Sequence, residues 1–165
     1  MPHVATGDLF RAAIAARTPL GLEVEPILAA GRLVPDEVTI ALIREQLLQA
    51  EDGFVLDGFP RNLAQARALD EMLEEIERPL SIILLLELDD AAARGRLLKR
   101  AEIEGRVDDT PEVIERRLAT YHAQTEPVVD HYLATGRLVK LHAERSIAEV
   151  WAEIERALEH VEARA

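Results

Sequence analysis

The chain has 165 residues, 48% of them apolar, a formal net charge of −12 and no cysteine. That length supports one buried core and excludes disorder, and the missing cysteines exclude a disulfide framework or a thiolate metal site. The acidic balance argues against a nucleic-acid partner, because counterion release needs a basic face. No apolar run reaches the roughly 18 residues of a membrane span, so a cytoplasmic protein with no leader and no membrane partner is expected. Lys99 and Lys140 are the only lysines among 19 basic residues. Arginine grips phosphates in a bidentate fork, so small phosphorylated ligands stay open to this chain.

In chain order, His3 to Ala5 is a candidate short strand, and residues 8 to 17 read as a helix with Leu9, Ala12, Ala13 and Ala16 on one face. A second helix over about 20–30 ends at Gly31, and Pro35-Asp36 opens a third over about 36–49. Phe54 to Leu56 is an apolar burst stopped by Asp57-Gly58, the pattern of a buried strand running into a loop. A helix over about 62–76 follows. "LSIILLLEL" (80–88) is apolar at successive positions, the mark of a strand covered on both faces. Next come a helix over about 90–101, the polar stretch "EIEGRVDD", and a helix over about 111–134 that Pro127 should kink. "RLVKLHA" (137–143) is the last strand, and Ser146 caps a helix over about 147–162. Strands alternating with helices predict an α/β fold, a parallel sheet flanked by helices in a single domain. Ligands of such sheets bind at the carboxyl ends of the strands, which draws attention to Asp57.

Two stretches carry candidate chemistry. In "DGFPRNLAQ", Asp57 stands at a strand end, Gly58 permits close backbone approach, Pro60 stiffens the loop presenting Arg61, and Gln65 follows one helical turn on. The same residue types also suit an ordinary strand-turn-helix connection. In "RLLKRAEIEGRVDDTPEVIERR", Arg96 and Arg100 share a helix face, Arg106 follows a glycine loop and Arg117 lies on the next helix. Four arginines converging from two helices and a loop suit a polyphosphate. Glu102, Glu104, Glu112 and Glu115 are near enough to pair with them instead.

The order of these clusters behind "TGDLFR", with "GRLVPDEV", "GFVLDGFPRNLAQA", "ERRLATYHAQTEPVVDHY" and "LVKLHAERSIAEVW", resembles the nucleoside monophosphate kinases, most closely the short-lid adenylate kinases. The resemblance runs over nearly all of the chain. It implies an enzyme that moves a phosphoryl group reversibly from Mg-ATP to AMP, giving two ADP. By resemblance Thr6 and Arg11 bind AMP, the backbone of Arg32, Leu33 and Val34 flanks it, and Gly58, Phe59, Pro60 and Arg61 line its pocket with Arg61 on the phosphate. Gln65 would read the adenine. Arg96 and Arg100 would hold ATP phosphates, Arg106 and Arg117 would clamp the transferring group and AMP, and the backbone at Arg145 would support the ATP base. Asp8 and Asp57 would orient water around Mg2+. The AMP-binding helices would span about 5–34 and the lid about 99–109, with no structural zinc.

Thr6 and Gln65 favour AMP over the UMP/CMP kinase alternative, whose pattern tends to Ala and Asn there; Asn62 is a mild mark the other way. Other readings are a non-catalytic AMP-binding remnant or a helical protein with incidental arginines. The family's phosphate loop, G-x-x-x-x-G-K-[S/T], has no copy in the 165 residues. The expectation is therefore a chain about 25 residues short at its N-terminus, without the first central strand and phosphate loop, and poorly active alone. The family is usually monomeric; exposed edges of that strand's neighbours are expected to favour association here.

Overall fold

The computed structural model describes residues 1–106 and 109–162. Strand β1 (His3–Ala5) leads without a loop into helix α1 (Thr6–Ala15), then α2 (Pro19–Ala29) and α3 (Asp36–Gln49). Strand β2 (Val55–Asp57), helix α4 (Leu63–Glu75), strand β3 (Ile83–Glu87) and helix α5 (Asp90–Glu104) follow. Helix α6 (Pro111–Thr120) runs through a π-helical turn (Tyr121–Thr125) into α7 (Glu126–Leu133), and β4 (Leu138–His142) and α8 (Ile147–Glu162) close the chain.

All strand pairing among the described residues is parallel, as the alternation of elements predicts, but it forms two separate two-stranded sheets. In one, Val4 lies opposite Leu56 and Ala5 opposite Asp57; in the other, Leu85 lies opposite Lys140 and Glu87 opposite His142. The expectation that β3 is covered on both faces fails. None of its residues is fully buried, and Leu86 keeps 52% of its surface. The reason lies in the assembly: among the described residues β3 pairs with β4 alone and β2 with β1 alone, so strands read as central each keep an open edge.

Helix starts follow their chemistry. Thr18, Asn62, Asp89 and Thr110 each accept a backbone N–H of the first turn through a side-chain oxygen. Ser146 and Glu149 make a reciprocal box, Ser146 N–H donating to Glu149 Oε2 at 3.0 Å while Ser146 Oγ accepts from Glu149 N–H at 3.4 Å. Helix α1 starts at Thr6, two residues before the expected position, and lacks such a cap because its N-cap residue, Ala5, has no side-chain acceptor. Helix α5 extends to Glu104, so the first half of the expected lid stretch is helical and the turn begins at Gly105. Val107 and Asp108 of that stretch lie outside the described residues. The single kinked helix over 111–134 is instead two helices with the π turn between them. Pro127 sits in the first turn of α7, where its missing N–H costs nothing, and the register shift falls just ahead of it.

Packing ties these elements into two main clusters. Val4, Ile43, Leu47, Phe59, Leu69, Met72 and Leu73 join β1, α3, the loop after β2 and α4. Phe10, Val24 and Val34 join α1, α2 and the segment before α3. A Cβ on Gly21 would come within 2.1 Å of the Ala13 carbonyl oxygen, so only glycine lets α2 cross α1 this closely. A smaller cluster of Ala66, Val128 and Tyr132 holds α7 on α4. Burial and the neighbouring Asp70 carboxylate push the Tyr132 phenol far up, which keeps it a neutral donor to Asp70 at 3.2 Å.

Candidate active site

The carboxyl ends of β1 and β2 meet at Thr6 and Gly58. Thr6, 3% exposed, donates its hydroxyl to the Gly58 carbonyl at 3.0 Å. Arg61 Nε donates to the same carbonyl at 2.7 Å, so one oxygen fixes both side chains. Gly58 has φ +73°, and a Cβ there would stand 2.8 Å from an Arg61 Nη and 3.1 Å from Thr6 Oγ1. The turn thus needs glycine for its backbone and for its space. On the other side of the loop, Thr125 of the π turn donates its hydroxyl to the Arg61 carbonyl at 2.6 Å. The Phe59-Pro60 bond is cis and Phe59 is buried in the core, so the loop is anchored at both ends of Arg61.

Gln65 is 2% exposed. Its Oε1 accepts the Arg61 backbone N–H at 2.8 Å, and its Nε2 donates to Asp36 Oδ1 at 2.9 Å. Asn62 Nδ2 donates to the same Asp36 oxygen at 2.8 Å. Val34 is buried, Leu33 half-buried and Arg32 exposed on the segment leading to Asp36. Arg11, one turn into α1, pairs with Asp8. Asp57, at the end of β2, faces His3 Nε2 at 3.3 Å.

The second arginine group centres on Asp109, whose side chain is fully buried. Arg100 Nε and Nη2 both reach its Oδ2, at 2.9 and 2.7 Å, and Arg117 pairs with its Oδ1. One carboxylate therefore holds α5 and α6 arginines together. Arg106 pairs with Glu104. Arg96, one turn before Arg100, donates to the Ala143 carbonyl just after β4, and Arg145 reaches Glu153 Oε1 at 2.5 Å.

Electrostatics joins the two groups. Desolvation in the cleft holds the Arg61 guanidinium below the ordinary arginine value, and the nearby cations Arg117 and Arg11 push it the same way. The Asp8 carboxyl is held low, first by its hydrogen bond from Arg11, with the fields of Arg11, Arg106 and His3 adding to it. Arg11, Arg61, Arg106 and Arg117, drawn from α1, the β2 loop, the lid turn and α6, thus bear on one region. A separate groove of about 1050 Å3 passes Leu86 and Tyr121 and is lined by Arg117, Lys140 and His122, sharing only Arg117 with those four.

Asp109, Asp36 and Thr125 are the participants that sequence reasoning passed over. "GRVDD" was legible as a motif, yet nothing in it says that Asp109 is buried between two arginines. Asp36 reads only as a helix start. Thr125 depends on a π turn that no periodicity signals.

Guanidiniums, a glycine turn and a buried amide gathered near the carboxyl ends of β1 and β2 suit a phosphotransferase of the nucleotide-kinase class, and that is the class of the proteins this chain matches. The profile of the adenylate kinase family matches residues 1–137. The chain is 45% identical over 163 residues to an adenylate kinase of Cyanothece sp. (strain PCC 7425 / ATCC 29141), covering 98% of this chain and 84% of that protein. It is 44% identical over 156 residues to one of Prochlorococcus marinus (strain MIT 9303), covering 94% and 84%. To one of Xanthomonas euvesicatoria pv. vesicatoria (strain 85-10) it is 42% identical over 160 residues, covering 96% and 86%. The chain belongs to the adenylate kinase family.

Proposed function

We propose that the described site binds AMP between α1, the β2 loop and α4 and presents its phosphate to an ATP phosphoryl group held by the α5 and α6 arginines. The observation that carries this is the pair Arg100 and Arg117 locked on the buried carboxylate of Asp109 beside Arg61. A phosphate entering this cluster replaces a carboxylate that already neutralises it, so the arginines are placed before the ligand arrives. In phosphoryl transfer, positioning and neutralising charge supply most of the rate.

Each side chain has one task in this reading. Arg61, clamped through its carbonyl by Thr125 and through its Nε by Gly58, holds the AMP phosphate. Thr6 and Arg11 close the α1 side, and the Arg32–Val34 backbone flanks the nucleoside. Arg106 and Arg117 follow the transferring group; Arg96 and Arg100 hold the donor's phosphates, and Arg145 lies by the donor's base. Asp8 and Asp57 are exposed carboxylates, with 66% and 67% of their side chains open. Both are hard oxygen donors open to solvent, and although Asp8 pairs with Arg11 and Asp57 with His3, their exposed oxygens fit the water shell of Mg2+. Mg2+, when bound with ATP, neutralises the charge that builds between the β and γ phosphates. The experiment is a pair of measurements on the 165-residue chain: calorimetric AMP binding, and ADP formation with AMP, UMP or CMP as acceptor. AMP bound and preferred supports the reading; no monophosphate bound, or UMP preferred, refutes it.

A further inference from the structure

The Gln65 amide is buried, yet only half of its hydrogen-bonding capacity is used. Oε1 accepts from Arg61 N–H and Nε2 donates to Asp36, and among the described residues no other group pairs with it. One lone pair on Oε1 and one N–H on Nε2 are left for a ligand. Buried polar groups are normally satisfied, so an uncommitted pair of this kind is an edge made to receive something.

The direction of that edge is fixed. A carboxylate can only accept, so whichever amide atom faces Asp36 must be the nitrogen. The Arg61 N–H can only donate, so the atom facing it must be the oxygen. Asn62, bonded to the same Asp36 oxygen and capping α4 through its own Oδ1 on Gln65 N–H at 2.9 Å, holds the carboxylate in place. Reversing the Gln65 amide would set oxygen against carboxylate and N–H against N–H at once.

We infer that Asp36 is a positioning residue for base selection: by locking the Gln65 amide it makes the site choose 6-aminopurines over 6-oxopurines. This rests on the reading of the site as an AMP pocket with Gln65 at the base. A 6-aminopurine offers an N–H donor at N6 beside an acceptor at N1, the complement of the free Oε1 lone pair and Nε2 proton. A 6-oxopurine offers acceptor then donor, and both contacts become repulsive. One misplaced hydrogen bond costs roughly tenfold in affinity, so the locked amide separates the two bases by roughly 10- to 100-fold.

The test measures AMP and inosine monophosphate binding by calorimetry, with melting temperature alongside, for the 165-residue chain and its D36N and D36A variants. D36N keeps the shape of the side chain but gives it an amide, which can turn either its oxygen or its nitrogen to Gln65, so one of the two locks on the Gln65 amide is removed and only the Arg61 N–H still orients it. The expected result is an AMP preference of at least tenfold in the parent chain that falls several-fold in D36N, with little change in melting temperature. D36A should lose the preference further. If D36N keeps the parent's ratio, or weakens both nucleotides equally, Asp36 is merely structural and the inference is overturned. A parent chain that binds neither nucleotide refutes the AMP reading of the site itself, which separates that failure from this one. Should D36A not fold, D36N alone decides.

Discussion

Replacing Asp109 by alanine removes the carboxylate shared by Arg100 and Arg117. Breaking a fully buried ion pair by deleting one partner costs about 3–5 kcal/mol, because a buried charge is left uncompensated. Here the arginine side chains keep 33% and 27% of their surface while that of Asp109 keeps none, so solvent screens part of the loss. That discount brings the expected destabilisation to about 1.5–3 kcal/mol. In a chain of this size each kcal/mol moves the melting temperature by about 2–4 °C, which gives a drop of about 3–12 °C. The informative readout is the response to an anion. Tripolyphosphate should raise the melting temperature of D109A more than that of the parent, because in the variant it meets guanidiniums released from Asp109 and in the parent it must compete with that carboxylate. Scanning calorimetry with and without millimolar tripolyphosphate makes the comparison. A drop below about 1 °C, or equal anion responses in the two proteins, would refute the view that Asp109 holds the place of a phosphate.

Three other outcomes follow from the same geometry. Arg61→Lys should weaken AMP binding by about 10- to 100-fold, because the fork is lost though the charge remains, while adenosine affinity, read by the same calorimetry, stays put. Gly58→Ala should destabilise by about 1–3 kcal/mol in denaturant melts and abolish AMP binding, since its Cβ would meet Arg61 and Thr6 at a positive φ. The His122 imidazole is held above its ordinary value, first by its hydrogen bond to Glu126 and then by that to Asp90. Its folded value is the raised one, so its contribution is complete below the ordinary value of 6.5 and fades as pH climbs through the folded value. The melting-temperature gap between parent and His122→Gln should therefore be open at about pH 6 and closed by about pH 9, and a gap that widens with pH would reverse the assignment.

Much of this fold was legible because its signals are local. The cap at Ser146, the Pro35-Asp36 start of α3 and the apolar run in β3 each declare their element within a few residues. The parallel alternation follows from the same pattern. What escaped depends on distant partners. The run 82–86 looks like a strand buried on both faces, and whether anything covers those faces is a matter of tertiary assembly that no local pattern records. The arginines were readable as a set by type and spacing, and of the four read together Arg100 and Arg117 share one carboxylate while Arg96 and Arg106 have other partners. Their arrangement was not readable, because a neutralising carboxylate such as Asp109 and an orienting one such as Asp36 look like any other acidic residue in a chain holding 31 of them.

The open margin of β3 has a consequence for how the molecule behaves at high concentration. "SIILLLE" (81–87) holds no proline, no glycine and no charge before Glu87, and its Leu86 is half exposed. Short segments of that composition stack readily into dry, interlocked fibrils when an edge is within reach. The chain's net charge of −12 keeps copies apart and opposes that stacking. Salt that screens the repulsion, or acid that discharges the carboxylates, therefore removes the main electrostatic barrier to stacking through β3.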